Sequence, residues 1–210
     1  MKDHPLVMCL TNEVAAEFTA NALLAYGAKP AMVEEPSEAA ELARKADAVL
    51  VNLGTVHPRQ ADAMRAAVAA AAAVRTPWVL DPVGCQLLSC RGDLARELLS
   101  AGPSIVRGNH AEIEFLGVFD AVSLSTGEID RLSDGREIRG GVPMLQSVTA
   151  TGCIQGALAA AALGRGLAPL DAAELVSRLM KRAGELAWEK SKTPGSFKTA
   201  LLDALWGLRP

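Results

Sequence analysis

Residues 47–84 read DAVLVNLGTVHPRQADAMRAAVAAAAAVRTPWVLDPVG. Asp47 to Leu53 is a nearly continuous apolar run, which suits a strand buried on both faces, as in a parallel sheet. Pro58 to Val74 is predicted to be helical. Thr76 to Asp81 is a second buried strand, and it ends in a carboxylate. Strand, helix and strand in this order make a parallel crossover unit.

Working outward, the same alternation continues. Pro5 to Leu10 and Lys29 to Val33 are short strand candidates before the quoted stretch. Between them Thr11 or Asn12 can cap a helix that Gly27 stops, and Pro36 opens another. Beyond it come a helix from Arg91 to Ser100, a strand from Pro103 to Arg107, a very short helix from His110 to Leu116 and a strand from Ala121 to Ser125. Ser133-Asp134-Gly135 marks a hairpin turn. Three helices close the chain, beginning near Gly152, Leu170 and Ser196. No linker, repeat or low-complexity tract interrupts the 210 residues, so one α/β domain is expected over 1–210. It has a largely parallel central sheet and helices on both faces.

Composition narrows the function classes. Half of the residues are hydrophobic and only 4% are aromatic, a balance that suits closely packed helices over a sheet. A formal charge of -3, with no basic stripe, argues against a nucleic-acid partner. The alanine-rich stretch Ala66 to Val74 is too short to span a bilayer, and the N-terminal residues lack the apolar core of a secretion signal. Cys9, Cys85, Cys90 and Cys153 form no C-x-x-C pair, so they read as reduced thiols of a cytoplasmic protein rather than zinc ligands. His4, His57 and His110 show no metal-ligand spacing.

Ligands of open α/β sheets bind beyond the carboxyl ends of the strands. Polar groups gather at those ends: Asn52 to Thr55, Asp81 to Gly84, Arg107 to Asn109 with Glu112 one turn on, and Ser125 to Glu128. Each has a plainer reading. Asp81 before a proline suits a turn, Arg107 can pair with a surface carboxylate, Glu112 complements a helix dipole, and Thr126-Gly127 can open a hairpin. Together, an arginine, two carboxylates and glycine loops describe a site for phosphate and a divalent cation; Mg²⁺ takes one or two carboxylates plus phosphate oxygens and water.

Val148-Thr149-Ala150-Thr151-Gly152-Cys153 leads into a helix of small residues. A helix start offers free N–H groups to an anion, and a thiol there is expected to have a lowered pKa. A buried structural cysteine fits the spacing equally well.

These stretches, taken in order, resemble the hydroxyethylthiazole kinases, thiamine-salvage enzymes of the ribokinase-like fold. The resemblance is carried by Pro5 to Asn12, Phe18 to Asn21, Pro30 to Met32, Asn52 to Thr55, Leu80 to Gly84, Val106 to Asn109 with Glu112, Thr126 to Glu128, Val148 to Cys153 and Pro194 to Phe197. It implies ATP-dependent phosphorylation of the hydroxyethyl group of a methylthiazole. It implies that Met32 and Ala150 touch the thiazole, that Arg107 and Thr126 hold ATP, and that Asp81 and Glu112 serve Mg²⁺. Cys153 stands where most ribokinase-like enzymes have a catalytic Asp, and the hydrate dehydratases of the same fold rely on that Asp. A homotrimer with substrate between subunits is also implied. The family usually has Gly at the Ala150 position, continues differently after Gly84 than Cys85 to Leu88, and is longer between Leu116 and Asp120. Two other readings are a kinase for a different small alcohol and a non-catalytic paralogue that binds a thiazole-like or nucleotide ligand.

Overall fold

The computed structural model describes residues 2–210. Six strands alternate with five helices: β1 (Leu6–Leu10), α1 (Ala16–Tyr26), β2 (Lys29–Met32), α2 (Pro36–Ala43), β3 (Ala48–Asn52), α3 (Pro58–Val74), β4 (Trp78–Asp81), α4 (Ser89–Leu99), β5 (Ile105–Asn109), α5 (His110–Leu116) and β6 (Val122–Thr126). The short strands β7 (Asp130–Leu132) and β8 (Glu137–Ile138) follow, then α6 (Thr151–Gly164), α7 (Pro169–Lys190) and α8 (Pro194–Gly207). The strands form one sheet in the order β2-β1-β3-β4-β5-β6-β7-β8. Every pairing from β2 to β6 is parallel, and β7 and β8 add an antiparallel edge.

The central strands are apolar up to their carboxyl ends because each face of the sheet is covered. Val7, Cys9, Leu50, Val79 and Ile105 point into one core, under α1, α6, α7 and α8. Met8, Leu10, Val49, Val51, Leu80 and Val106 point into the other, under α2, α3 and α4. This is the period of two that a strand imposes. The helix α6 lies at the centre: Ile154 to Leu163 are all buried. Its small residues bring its backbone down onto the sheet, and a β-carbon on Gly156 would sit 3.2 Å from Leu50 Cδ1.

The crossover from β5 to β6 is short, yet the two strands pair in parallel from Ile105–Val122 to Asn109–Thr126. A capping box makes it possible. Asn109 caps α5 through Glu112 N, and Glu112 returns the bond to Asn109 N at 2.8 Å. The hairpin at Ser133-Asp134-Gly135 forms as expected, with Gly135 at φ +89 and its N–H on Leu132 O.

One cap differs from expectation. α1 starts at Ala16, not directly after Asn12, and no side chain among the described residues caps it. Asn12 Oδ1 accepts the N–H of Ala15, while its amide nitrogen turns toward the strand ends. No described helix is long and apolar enough to cross a membrane.

Candidate active site

The carboxyl ends of β1, β3, β4, β5 and β6 and the start of α6 meet at one edge of the sheet. Parallel pairing sets Asn52 beside Asp81 and Asn109 beside Thr126. Arg107 is the hub. Its Nη2 donates to Thr126 Oγ1 at 2.9 Å, its Nε to Gln155 Oε1 at 3.3 Å, and its Nη1 lies 3.6 Å from Asp81 Oδ1. The last distance is a charge contact rather than a good hydrogen bond. The guanidinium lies against the first turn of α6, where a β-carbon on Gly152 would fall 2.6 Å from Nη1. Glycine is what lets the cation reach the helix start. No described side chain caps α6, so its first N–H groups remain available.

Asp81 is fully buried. Its Oδ2 accepts from Asn52 Nδ2 at 2.7 Å, and its Oδ1 has no hydrogen-bond partner among the described residues. Burial pushes its carboxyl up to about 6; the Arg107 cation opposes the rise and the Glu112 charge adds to it. Glu112 is also buried, and its two oxygens each take a backbone N–H, from Gly84 and Asn109, both at 2.8 Å. The plainer reading, an acid in the first turn that complements the helix dipole, fits its place in α5, and its charge also acts on Asp81. Among the described residues no three His, Cys, Asp or Glu side chains cluster as a metal cage.

Cys153 sits in the first turn of α6, half-buried. Asn12 Nδ2 donates to its Sγ at 3.5 Å and to Asn52 Oδ1 at 2.8 Å, so a polar chain runs from Cys153 through Asn12 and Asn52 to Asp81. The expected low pKa is not found. Burial, and then the negative charge of Asp81, push the thiol up to about 11, against the donors Asn12 and Asn52 and the Arg107 cation. Desolvation outweighs the helix start because the sulfur lies under side chains rather than in water.

Two cavities flank Arg107. One, of about 350 Å³, is lined by Asn12, Thr55, Glu112, Ala150 and Cys153. Gly54 stands at its floor, where a β-carbon would fall 2.6 Å from Asn12 Nδ2. Ala150 lines it in the left-handed conformation, at φ +69. The other, of about 260 Å³, is lined by Thr126, Gly127, Gln155, Thr151 and Lys181. Of the seven residues expected at the site, Arg107, Glu112, Thr126, Ala150 and Cys153 line these cavities, and Asp81 lies fully buried beside Arg107. Met32 does not line either cavity; it is 40% exposed at the end of the edge strand β2.

Sequence reasoning missed Gln155, Asp130, Ser177 and Lys181. Gln155 has a visible signal, a lone amide inside an otherwise apolar helix. The other three form a buried cluster. Asp130 accepts from Gly127 N at 3.0 Å and from Ser177 Oγ at 2.6 Å, and Lys181 Nζ lies 3.4 Å from Asp130 Oδ1.

Comparison with known proteins finds relatives over the whole chain. The sequence profile of the hydroxyethylthiazole kinase family matches residues 1–119 and 118–210. The two matches meet in the loop between α5 and β6. A hydroxyethylthiazole kinase from Serratia proteamaculans is 40% identical over 239 residues, covering 100% of this chain and 90% of its own. That span exceeds the 210 residues of the chain, so the relative carries residues that this chain lacks. The structure of a hydroxyethylthiazole kinase from Pyrococcus horikoshii OT3 superposes with a TM-score of 0.92 at 35% identity, covering 99% of this chain and 89% of that one. A ribokinase-like superfamily protein from Enterococcus faecalis shares the fold alone, with a TM-score of 0.68 at 13% identity, over 97% of this chain and 87% of its own. A whole-chain match of this depth has one consequence: the chain belongs to the hydroxyethylthiazole kinase family.

Proposed function

We propose that this protein transfers the γ-phosphoryl group of ATP to the hydroxyethyl group of 4-methyl-5-(2-hydroxyethyl)thiazole, in the cytoplasm and in the service of thiamine biosynthesis. The observation that carries the reading is the cation Arg107 pressed against the open start of α6, with Cys153 one turn into the same helix. Free N–H groups, a helix dipole and a guanidinium converge there, which is what a transferring phosphoryl group needs.

The phosphate chain lies on the Thr126 side of Arg107 and the alcohol on the Cys153 side. Phosphoryl transfer passes through a loose transition state, so positioning and charge neutralisation supply most of the catalysis. Arg107 and the N–H groups of Thr151 to Cys153 take up charge on the equatorial oxygens. Cys153 keeps its proton at neutral pH, since its pKa stands near 11. Its role is to orient the alcohol. The hydroxyl proton leaves late, to water or a phosphate oxygen, after the new P–O bond has made its oxygen strongly acidic, so no strong base is required.

Asp81 and Glu112 fit a magnesium ion. Asp81 Oδ1 is a buried acceptor without a hydrogen-bond partner, and two carboxylates are the number Mg²⁺ asks of a protein when phosphate is present. Bound there, the ion would neutralise phosphate charge. The two carboxylates would hold it, and Arg107 would stay free for the oxygens in transit.

A homotrimer with the alcohol between subunits accounts for Met32. It is exposed on an edge strand and outside the cavity that Cys153 lines, so a second copy is needed to bring an equivalent residue to the substrate. One observation favours a second reading, a different small alcohol: the methyl group of Ala150 projects from a left-handed residue of that cavity's wall. The test is ADP release from Mg·ATP with the thiazole alcohol and a panel of other small alcohols. Turnover fastest with the thiazole supports the first reading, and faster turnover with another alcohol replaces it by the second. No turnover with any, together with thermal stabilisation by the thiazole, leaves a binding protein.

A further inference from the structure

One face of α7 has a task that the reaction as described does not use. Ser177, Lys181 and Glu185 are spaced by four, so they stand in a row along the helix. Such a row ordinarily faces water. Here Ser177 and Lys181 are buried and Glu185 is half-buried, because two loops fold across them.

The first loop follows β6. Lys181 Nζ donates to Glu128 O at 3.1 Å and to Gly127 O at 3.4 Å, and Asp130, itself held by Ser177 Oγ, accepts the N–H of Gly127 at 3.0 Å. Both sides of the Gly127 peptide are therefore tied to α7. The second loop precedes the Pro143–Ser147 turn. Lys181 Nζ reaches Gly140 O at 3.3 Å, and Glu185 Oε1 accepts from Gly141 N at 2.9 Å. Gly140 and Gly141 have φ of +109 and +81, which lets the chain turn flat against the helix. Between the loops lies a cavity of about 520 Å³ that opens beside the one holding Thr126, and Gly127, Gln146 and Lys181 line both.

We infer that Ser177, Lys181 and Glu185 are positioning residues for the nucleotide: they lock the loop that walls its cavity, and the loop that walls the adjoining one, into the binding conformation before it arrives. The inference rests on ATP lying on the Thr126 side of Arg107. Gly127 and Glu128 are exposed and glycine-containing, and without ties they would be disordered in the free protein. Ordering them in advance removes that cost from binding. Lys181 is suited to the task because an ammonium with three N–H groups, neutralised by Asp130 beside it, can hold three carbonyls at once. Its charge is spent on the loops. It is not a ligand of the phosphates.

The measurement is the Kd for Mg·ATP, by titration calorimetry, beside the Kd for the thiazole alcohol. Lys181→Met keeps the aliphatic stem and removes its hydrogen bonds to both loops. It should raise the Kd for ATP about tenfold and leave that for the alcohol within about twofold. Should the unpaired Asp130 unfold that protein, Asp130→Asn/Lys181→Met removes the stranded charge and carries the same expectation. Glu185→Ala, half-buried and away from the ion pair, should raise the Kd for ATP about threefold. The inference is overturned if the folded variants bind ATP as the parent does, or if both ligands weaken together, which marks a merely structural role. Arg107→Ala, measured alongside, separates the two ideas. Weaker ATP binding in Arg107→Ala but not in Lys181→Met sinks the positioning role alone. Unchanged ATP binding in both sinks the nucleotide placement with it.

Discussion

Arg107 separates two cavities whose walls are made differently. On the Thr126 side the wall is tied down by a buried ion pair, a buried serine and several backbone hydrogen bonds. On the Cys153 side the wall includes Val14, 63% exposed, and a left-handed alanine. A site for a large anion benefits from donors fixed in advance, since reorganising them would consume binding energy. A site for a small apolar alcohol needs apolar surface, and a single chain that exposes such surface invites a partner over it. On the proposed placement of the ligands, the nucleotide half is the one that this chain ties down.

Arg107 belongs to both halves, and its loss should have the largest effect. Arg107→Ala leaves Asp81 buried without its cation, which typically costs about 3–5 kcal/mol of stability. It should also weaken ATP binding by about 1–3 kcal/mol. Urea unfolding and ATP titration read the two separately. Adding Asp81→Asn should recover part of the stability and none of the ATP affinity. Nucleotide affinity equal to the parent's would remove Arg107 from the phosphate site.

Cys153→Ala comes next, touching only the acceptor side. It should lower kcat by about 10²-fold, the scale of losing an orienting contact, with the KM for ATP nearly unchanged. Cys153→Asp should retain or raise kcat. The thiol also carries a pH signature. Its folded pKa, about 11, lies above the ordinary 9.0 of a free thiol, so its neutral form favours the folded state. The stability it contributes is intact below pH 9 and is lost as pH rises toward 11. Unfolding curves of Cys153→Ala should therefore fall less steeply than the parent's in that window. A kcat equal to the parent's would make the thiol mere packing.

The two halves were also unequally legible in the sequence. Strands β1, β3 and β4 announce themselves because a doubly covered strand must be apolar on both faces, β2, β5 and β6 follow from the strand–helix alternation, and the site then follows from where those strands end. Asp81, Arg107, Glu112 and Thr126 could be found this way, and Cys153 from the small-residue stretch that opens α6. Lys181 could not. The row Ser177, Lys181, Glu185 reads as a solvated helix face, and only the folding of residues 127–141 across it reverses that. The pKa of Cys153 was misread for a related reason: a helix start lowers a thiol's pKa, but how deeply the sulfur is covered depends on residues far away in the chain. Nothing in the sequence alone places Ala150 in the left-handed region.

That residue gives a smaller test. Left-handed backbone costs an alanine about 1–2 kcal/mol that a glycine does not incur. Ala150→Gly should stabilise the protein by about 1 kcal/mol after allowing for the greater freedom of the unfolded chain. It should also lower the KM for the thiazole alcohol if the methyl group crowds it. A gain in stability without a change in that KM would make Ala150 a relic of backbone strain. A lower KM for an alcohol other than the thiazole would favour the second substrate reading.

Met32→Ala should have the least effect on stability and decides most about the acceptor side. Met32 ends the edge strand β2 and is 40% exposed, so truncation removes little buried surface and should change stability by less than about 0.5 kcal/mol. If one chain made the whole acceptor site, the KM for the alcohol would be equally indifferent, because Met32 lies outside the cavity that Cys153 lines. If a second copy brings its own Met32 to the substrate, the KM rises while the KM for ATP and the unfolding curve stay still. Light scattering on the parent supplies the control. A trimer together with a raised KM completes the acceptor half from a neighbouring chain. A monomer with an unchanged KM means that the open wall beside Cys153 is the whole of that site.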